Sequence, residues 1–160
     1  MELKIVEIKI PDGANLVLGQ SHFIKTAEDI YEVMAGAVPG AKFAVAFSEA
    51  SGDCLVRTEG NDASLIQAAR DNSLALACGH TFVLLMKGAF PINMLNAIKT
   101  VPEVCSIFCA TANPLQAVVA ETGLGRGIMG VIDGFPPKGA ESASDVEERR
   151  NLLRRFGYKL

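Results

Sequence analysis

Asn113-Pro-Leu-Gln-Ala-Val-Val-Ala-Glu-Thr-Gly-Leu-Gly-Arg-Gly-Ile-Met-Gly-Val-Ile-Asp-Gly-Phe-Pro-Pro137 is the stretch on which the reading of this chain turns. Two short apolar runs, Leu115 to Ala120 and Ile128 to Ile132, flank Gly123-Leu-Gly-Arg-Gly127. Both are rich in β-branched residues and read as strands, so a β-hairpin is expected. The glycines between them permit positive φ and let a ligand approach the backbone. Arg126 can present a planar fork to a phosphate or carboxylate. Asp133 ends the second strand, ahead of Gly134 and the Pro136-Pro137 break. This is either one wall of a site or an ordinary hairpin, and the surrounding chain has to decide.

Upstream, Val104 to Ala110 reads as a central strand, preceded by a helix that opens on Pro91 and closes at Pro102. Proline suits a first helical position, and Ile92, Leu95, Ile98 and Val101 recur at helical spacing. His80 to Met86 is an apolar run behind a histidine, hence another central strand. A helix from a cap at Asn61-Asp62 to about Ala77 precedes it, with Gly79 as its stop. Lys42 to Phe47 and Cys54 to Thr58 form a hairpin about a polar turn, and a helix from Thr26 to Val38 comes before them. Glu2 to Ile10 alternates and turns at Pro11-Asp-Gly-Ala14 into Asn15 to Gly19, so residues 2–19 are expected to pair as a hairpin. Downstream, Ser144-Asp-Val-Glu147 reads as a capping box opening a C-terminal helix at about 144–157. Eight strands and four helices in this order predict one α+β domain over residues 1–160. Its sheet should be mixed, mostly antiparallel, with helices packed on one face.

Composition narrows the function. The net charge is −3 and no face is polybasic, which argues against nucleic acid as a partner. The run Arg149-Arg150…Arg154-Arg155 is offset by Glu147-Glu148 and reads as a solvated face or an interface. No apolar run approaches the ~20 residues that span a bilayer. The chain opens on strand-like alternation, so a cytoplasmic location with reduced thiols is expected. Cys105 and Cys109 lack the second pair of a zinc knuckle and, on one face of a strand, read as buried structural thiols. No metal site is expected.

The candidate chemical groups are few. His80, at the start of a buried strand, is either a nucleophile or base working near neutral pH or a hydrogen-bonded strand-edge histidine. His22 lies in a loop with no visible partner. Arg57 sits inside a strand and wants a carboxylate or an anionic ligand. Glu49 and Asp62 belong to turns, where local hydrogen bonding is the competing explanation. Asn93 and Asn96 share one helix face. There is no G-x-x-x-x-G-K-[ST] loop, and Gly123-x-Gly125-x-Gly127 is not followed by a helix, so the common nucleotide motifs are absent.

Taken together, Phe47-Ser-Glu-Ala-Ser-Gly52, Gly60-Asn-Asp62, Gly79-His-Thr-Phe82, Pro91-Ile-Asn-Met-Leu-Asn-Ala-Ile-Lys99, Ala110-Thr-Ala-Asn-Pro114 and Gly125-Arg-Gly-Ile-Met-Gly-Val-Ile-Asp-Gly134 resemble the adenosine-specific kinase family. The resemblance implies an α+β protein that binds adenosine and its phosphates (AMP, ADP or ATP). It also implies a histidine that carries a phosphoryl group, a role that maps onto His80. On this reading Arg57 and Arg126 neutralise phosphate. Glu49, Asp62 or Asp133 orients the imidazole or holds Mg²⁺, and Asn93, Asn96 and Asn113 read the adenine or ribose. A homo-oligomer, a trimer or higher, is expected. The alternative is a non-catalytic AMP- or ADP-binding sensor.

Overall fold

The structure, a computed structural model, describes residues 1–160. Eight strands and four helices follow in the order β1 (Glu2–Ile8), β2 (Asn15–Ser21), α1 (Thr26–Ala37), β3 (Lys42–Ser48), β4 (Val56–Gly60), α2 (Ala63–Leu76), β5 (Thr81–Lys87), α3 (Pro91–Lys99), β6 (Val104–Thr111), β7 (Leu115–Glu121), β8 (Arg126–Asp133) and α4 (Ala143–Arg155). The α+β class and the antiparallel character are as the sequence predicts. The strands divide between two sheets, ordered β4-β3-β5-β2-β6 and β1-β7-β8, and every strand pairing within each sheet is antiparallel.

The continuous apolar runs of β3 and β5 reflect burial on both faces. Phe43, Val45, Phe47, Phe82, Leu84 and Met86 pack with Ile30 and Met34 of α1 and Met94 and Ile98 of α3. Ala44, Ala46, Val83 and Leu85 point the other way, against Leu65, Ala69 and Leu76 of α2 and Leu115, Ala117 and Val119 of the small sheet. The helices therefore divide between the faces of the large sheet: α1 and α3 on one, α2 on the other. Each fully buried Phe, Leu or Met contributes about 1.5–3 kcal/mol.

Two predicted hairpins form, β3–β4 and β7–β8. The predicted hairpin over residues 2–19 does not. β1 pairs with β7 from Glu2↔Glu121 to Ile8↔Leu115, while β2 lies between β5 and β6. The turn residues Pro11 to Ala14 mark a crossing between sheets, and turn chemistry alone cannot distinguish the two. The C-terminal box is Ser142 with Asp145, two residues before the predicted Ser144. Helix α2 ends on Ala77, itself left-handed at φ 51°, so Gly79 is not the αL stop. A Cβ at Gly79 would lie 2.8 Å from that of Ala50, so this glycine serves close packing instead.

All four cysteines are free. Cys105 is exposed and Cys109 half-buried, because β6 has a register shift opposite Leu18/Gly19 that breaks the alternation expected to place both on one face. Burial pushes the Cys78 and Cys109 thiols up to about 11. No helix is long and apolar enough to cross a membrane.

Candidate functional site

His80 sits where β3 and β2 end and β5 begins. Its N–H donates to the Ser48 carbonyl at 2.8 Å, and its own carbonyl accepts from the Ser21 N–H at 2.8 Å. These two bonds tie it to the ends of two strands. They also hold it at φ 58°, in the left-handed region that disfavours a side chain. The imidazole stacks on Phe47, with centroids 5.8 Å apart and planes 26° from parallel. Phe47 is 1% exposed, so the imidazole rests on a fixed support.

Arg57 arrives at the same corner through strand register. Phe47 and Arg57 are directly opposed on β3 and β4, and opposed residues share a face of the sheet. Arg57 Nη2 donates to Glu49 Oε1 at 3.0 Å, and Glu49 Oε2 accepts the Leu55 N–H at 2.8 Å. The Leu55 amide, followed by Arg57, holds the Glu49 carboxyl below its usual range. The Arg57 Nε–H is shielded from water and makes no hydrogen bond.

The structure adds His22, which the sequence left without a partner. Its ring lies edge-on to His80, with centroids 6.4 Å apart and planes at 89°. The pairing Gln20↔Thr81 continues into the Ser21–His80 bond, so the loop after β2 emerges beside the loop before β5. The missing sequence signal was the β2–β5 pairing. The His22 N–H also donates to the Glu103 carbonyl at 2.7 Å. Glu103 is 6% exposed, and one of its carboxyl oxygens has no partner.

The remaining candidates do not converge on this corner. Asp62 caps α2, accepting from Leu65 N at 3.0 Å and Ser64 Oγ at 2.6 Å. Asn93 caps α3 by accepting the Phe90 N–H at 2.9 Å. Asn96 is exposed on α3. Arg126 pairs with Glu121, which also holds Lys4 Nζ at 2.7 Å. Its backbone bridges Cys78, on the α2 side of the large sheet. Asn113 and Asp133 do come together: Asp133 Oδ1 accepts from Thr111 Oγ1 at 2.7 Å and from Asn113 Nδ2 at 3.1 Å.

That second cluster stands near the other end of the large sheet. Thr111 pairs with Leu16, which pairs with Leu85, five residues along β5 from His80. At ~3.3 Å per residue this is roughly 17 Å of strand. Thr111 also lines a cleft of about 660 Å³ with Asn15, Phe90, Leu95, Phe156 and Tyr158. No three His, Cys, Asp or Glu side chains are arranged to hold a metal ion.

A family model described as "Adenosine specific kinase" matches residues 6–159. The chain is also similar to a protein of known crystal structure, the PH1918 protein from Pyrococcus horikoshii OT3. The two are 41% identical with a TM-score of 0.95, over 99% of this chain and 98% of that one. No curated protein matches the sequence.

Proposed function

The chain belongs to the adenosine-specific kinase family, and from that premise we propose that it binds adenosine or an adenine nucleotide and carries a phosphoryl group on His80. The observation that supports this best is the His80 corner itself. An imidazole is held in a strained backbone conformation and stacked on buried Phe47, and the residue opposite Phe47 is Arg57, its guanidinium oriented by Glu49. Strain of this kind persists where surrounding structure over-determines it, and it concentrates at functional sites.

The transfer runs as follows. A neutral imidazole nitrogen of His80 attacks the terminal phosphorus of ATP. The N–P bond forms, the P–O bond to the departing ADP breaks, and the imidazole proton passes to solvent. Attack on phospho-His80 by a hydroxyl of the acceptor forms a new P–O bond as the N–P bond breaks, and the hydroxyl proton passes to the released imidazole. Phosphoryl transfer needs positioning and charge neutralisation, and Arg57 supplies the neutralising charge at this corner. Glu49 fixes the Arg57 fork. Glu49, Asp62 and Asp133 are each engaged by protein donors, so a Mg²⁺ ion would be held by the nucleotide's phosphates and would supply further charge neutralisation there.

A homo-oligomer, a trimer or higher, completes the proposal. The small sheet exposes Leu3, Ile5, Met129 and Ile132, and no residue of α4 is buried within the chain. Large exposed apolar patches mark association surfaces.

The test is incubation with γ-labelled ATP and Mg²⁺, scored for an acid-labile, alkali-stable label. Wild type should label and His80→Ala should not; equal labelling of the two removes the mechanism. One observation favours a second reading, a non-catalytic AMP or ADP sensor. The cleft beside Thr111 lies far along the sheet from His80, so one chain does not present a ligand held there to the imidazole. Calorimetric binding without transfer over hours identifies the sensor.

A further inference from the structure

The cleft at the far end of the large sheet has no role in the transfer chemistry at His80, yet it is built like a small-molecule site. Its volume of about 660 Å³ falls within the ~300–1,000 Å³ range typical of ligand pockets. Phe156 and Tyr158, which follow α4, meet edge to face with centroids 6.4 Å apart and planes at 84°. They form one wall, and Phe90 and Leu95 of the α3 region form another. Both Phe90 and Phe156 are more than half exposed, so apolar ring surface stands open to water.

The polar groups are as few as such a site requires. Thr111 is already engaged, donating to Asp133 and accepting from Asn113 N at 3.0 Å. Asn15 is not. Its Nδ2 makes one long bond of 3.4 Å to the Ala89 carbonyl, and its Oδ1 makes none. A carboxamide with a spare N–H and a free oxygen offers one donor and one acceptor side by side. That pair matches the N6-amino and N7 edge of adenine, whereas guanine presents two acceptors there.

We infer that this cleft is the adenine-binding site of the chain: the purine lies against Phe90, Phe156 and Tyr158, and the Asn15 carboxamide reads its N6/N7 edge. The inference rests on the adenosine reading proposed above. It assigns the base to a place that none of the sequence candidates Asn93, Asn96 or Asn113 occupies. It sets the base roughly 17 Å of strand from His80 of the same chain, so a nucleotide held here transfers its phosphoryl group to His80 of another copy in the proposed oligomer.

The test uses the full chain and unphosphorylated adenosine, so that no chemistry at His80 enters the readout. Adenosine is titrated by calorimetry into wild type and into the Phe156→Ala/Tyr158→Ala variant. Both residues are exposed after the last helix, so the fold is expected to persist, and circular dichroism checks that. Loss of base stacking should weaken binding about tenfold or more. Asn15→Asp, which removes the donor, should weaken adenosine binding without improving that of guanosine. Photo-crosslinking with 8-azidoadenosine should label peptides carrying Phe90–Leu95 or Phe156–Tyr158. Labelling of the His22 or His80 peptides with unchanged affinity in the double variant overturns the assignment and leaves the phosphohistidine reading intact. Absence of adenosine binding, or self-association that depends on Phe156 and Tyr158, overturns it as well. Binding at the cleft in a protein that takes no label at His80 supports the assignment and rejects the transfer mechanism alone.

Discussion

Replacing His80 by alanine and by glycine separates its backbone strain from its ring. Both variants remove the imidazole and its stacking on Phe47, so the difference between them reports the left-handed backbone. Residue 80 is held at φ 58° by the bonds to Ser48 and Ser21. A side chain in that region costs about 1–2 kcal/mol. Glycine escapes this but loses more freedom on folding, roughly 0.5–1 kcal/mol. Glycine should therefore exceed alanine by about 1 kcal/mol. In a domain of this size that moves the midpoint of thermal unfolding by roughly 3 °C. His80→Asn should lie between the two, since asparagine tolerates this region. Wild type should lie near the glycine variant, because its ring stacking returns about 0.5–1.5 kcal/mol. Urea and thermal denaturation measure the series. An alanine variant as stable as the glycine variant refutes the reasoning, because the two backbone bonds would then not be holding residue 80 in place.

Three further outcomes follow from the packing and the ionisable groups. Burial, reinforced by Asp29, holds the Glu103 carboxyl above its usual range. The folded state therefore binds this proton more tightly than the unfolded state does. The stability that comes with it is complete below the ordinary carboxylate range and is lost as pH rises through the folded value. Glu103→Gln should match wild type near pH 4 and exceed it toward neutral pH in urea titrations; a gap that narrows as pH rises contradicts this. Thr111 is 7% exposed, so Asp133→Ala, which removes the acceptor of its hydroxyl, should cost about 1–2 kcal/mol with faster amide exchange at Gly134. Gly19→Ala would place a Cβ 2.4 Å from Phe82 Cζ and 2.8 Å from the Ser106 carbonyl. It should cost about 1–3 kcal/mol, and wild-type stability would show that β2 can move.

The sequence by itself determined the elements. Eight strands, four helices, the β3–β4 and β7–β8 hairpins and the α+β class were legible, because the period of apolar residues and the turn residues are local properties of a chain. The residues resembling the adenosine-specific kinases were legible for the same reason, as contiguous blocks. His80 and Arg57 also stood out locally, as a histidine beside an apolar run and a charge inside a strand. Which strands pair was not legible. The turn at Pro11 to Ala14 would suit a hairpin as well as the crossing it makes, and only burial of Val6, Ile8 and the inner residues of β7 against α2 and the large sheet decides between them. The pairing in turn decided which candidate residues meet. It put Arg57 opposite Phe47, set His22 edge-on to His80, and committed Arg126 to Glu121. It also gathered Asn15, Phe90, Phe156 and Tyr158, drawn from both ends of the chain, into one cleft. The physical reason is the range of the forces. Periodicity and turn chemistry act over a few residues, whereas long-range pairing is settled by how much apolar surface the whole chain can bury at once.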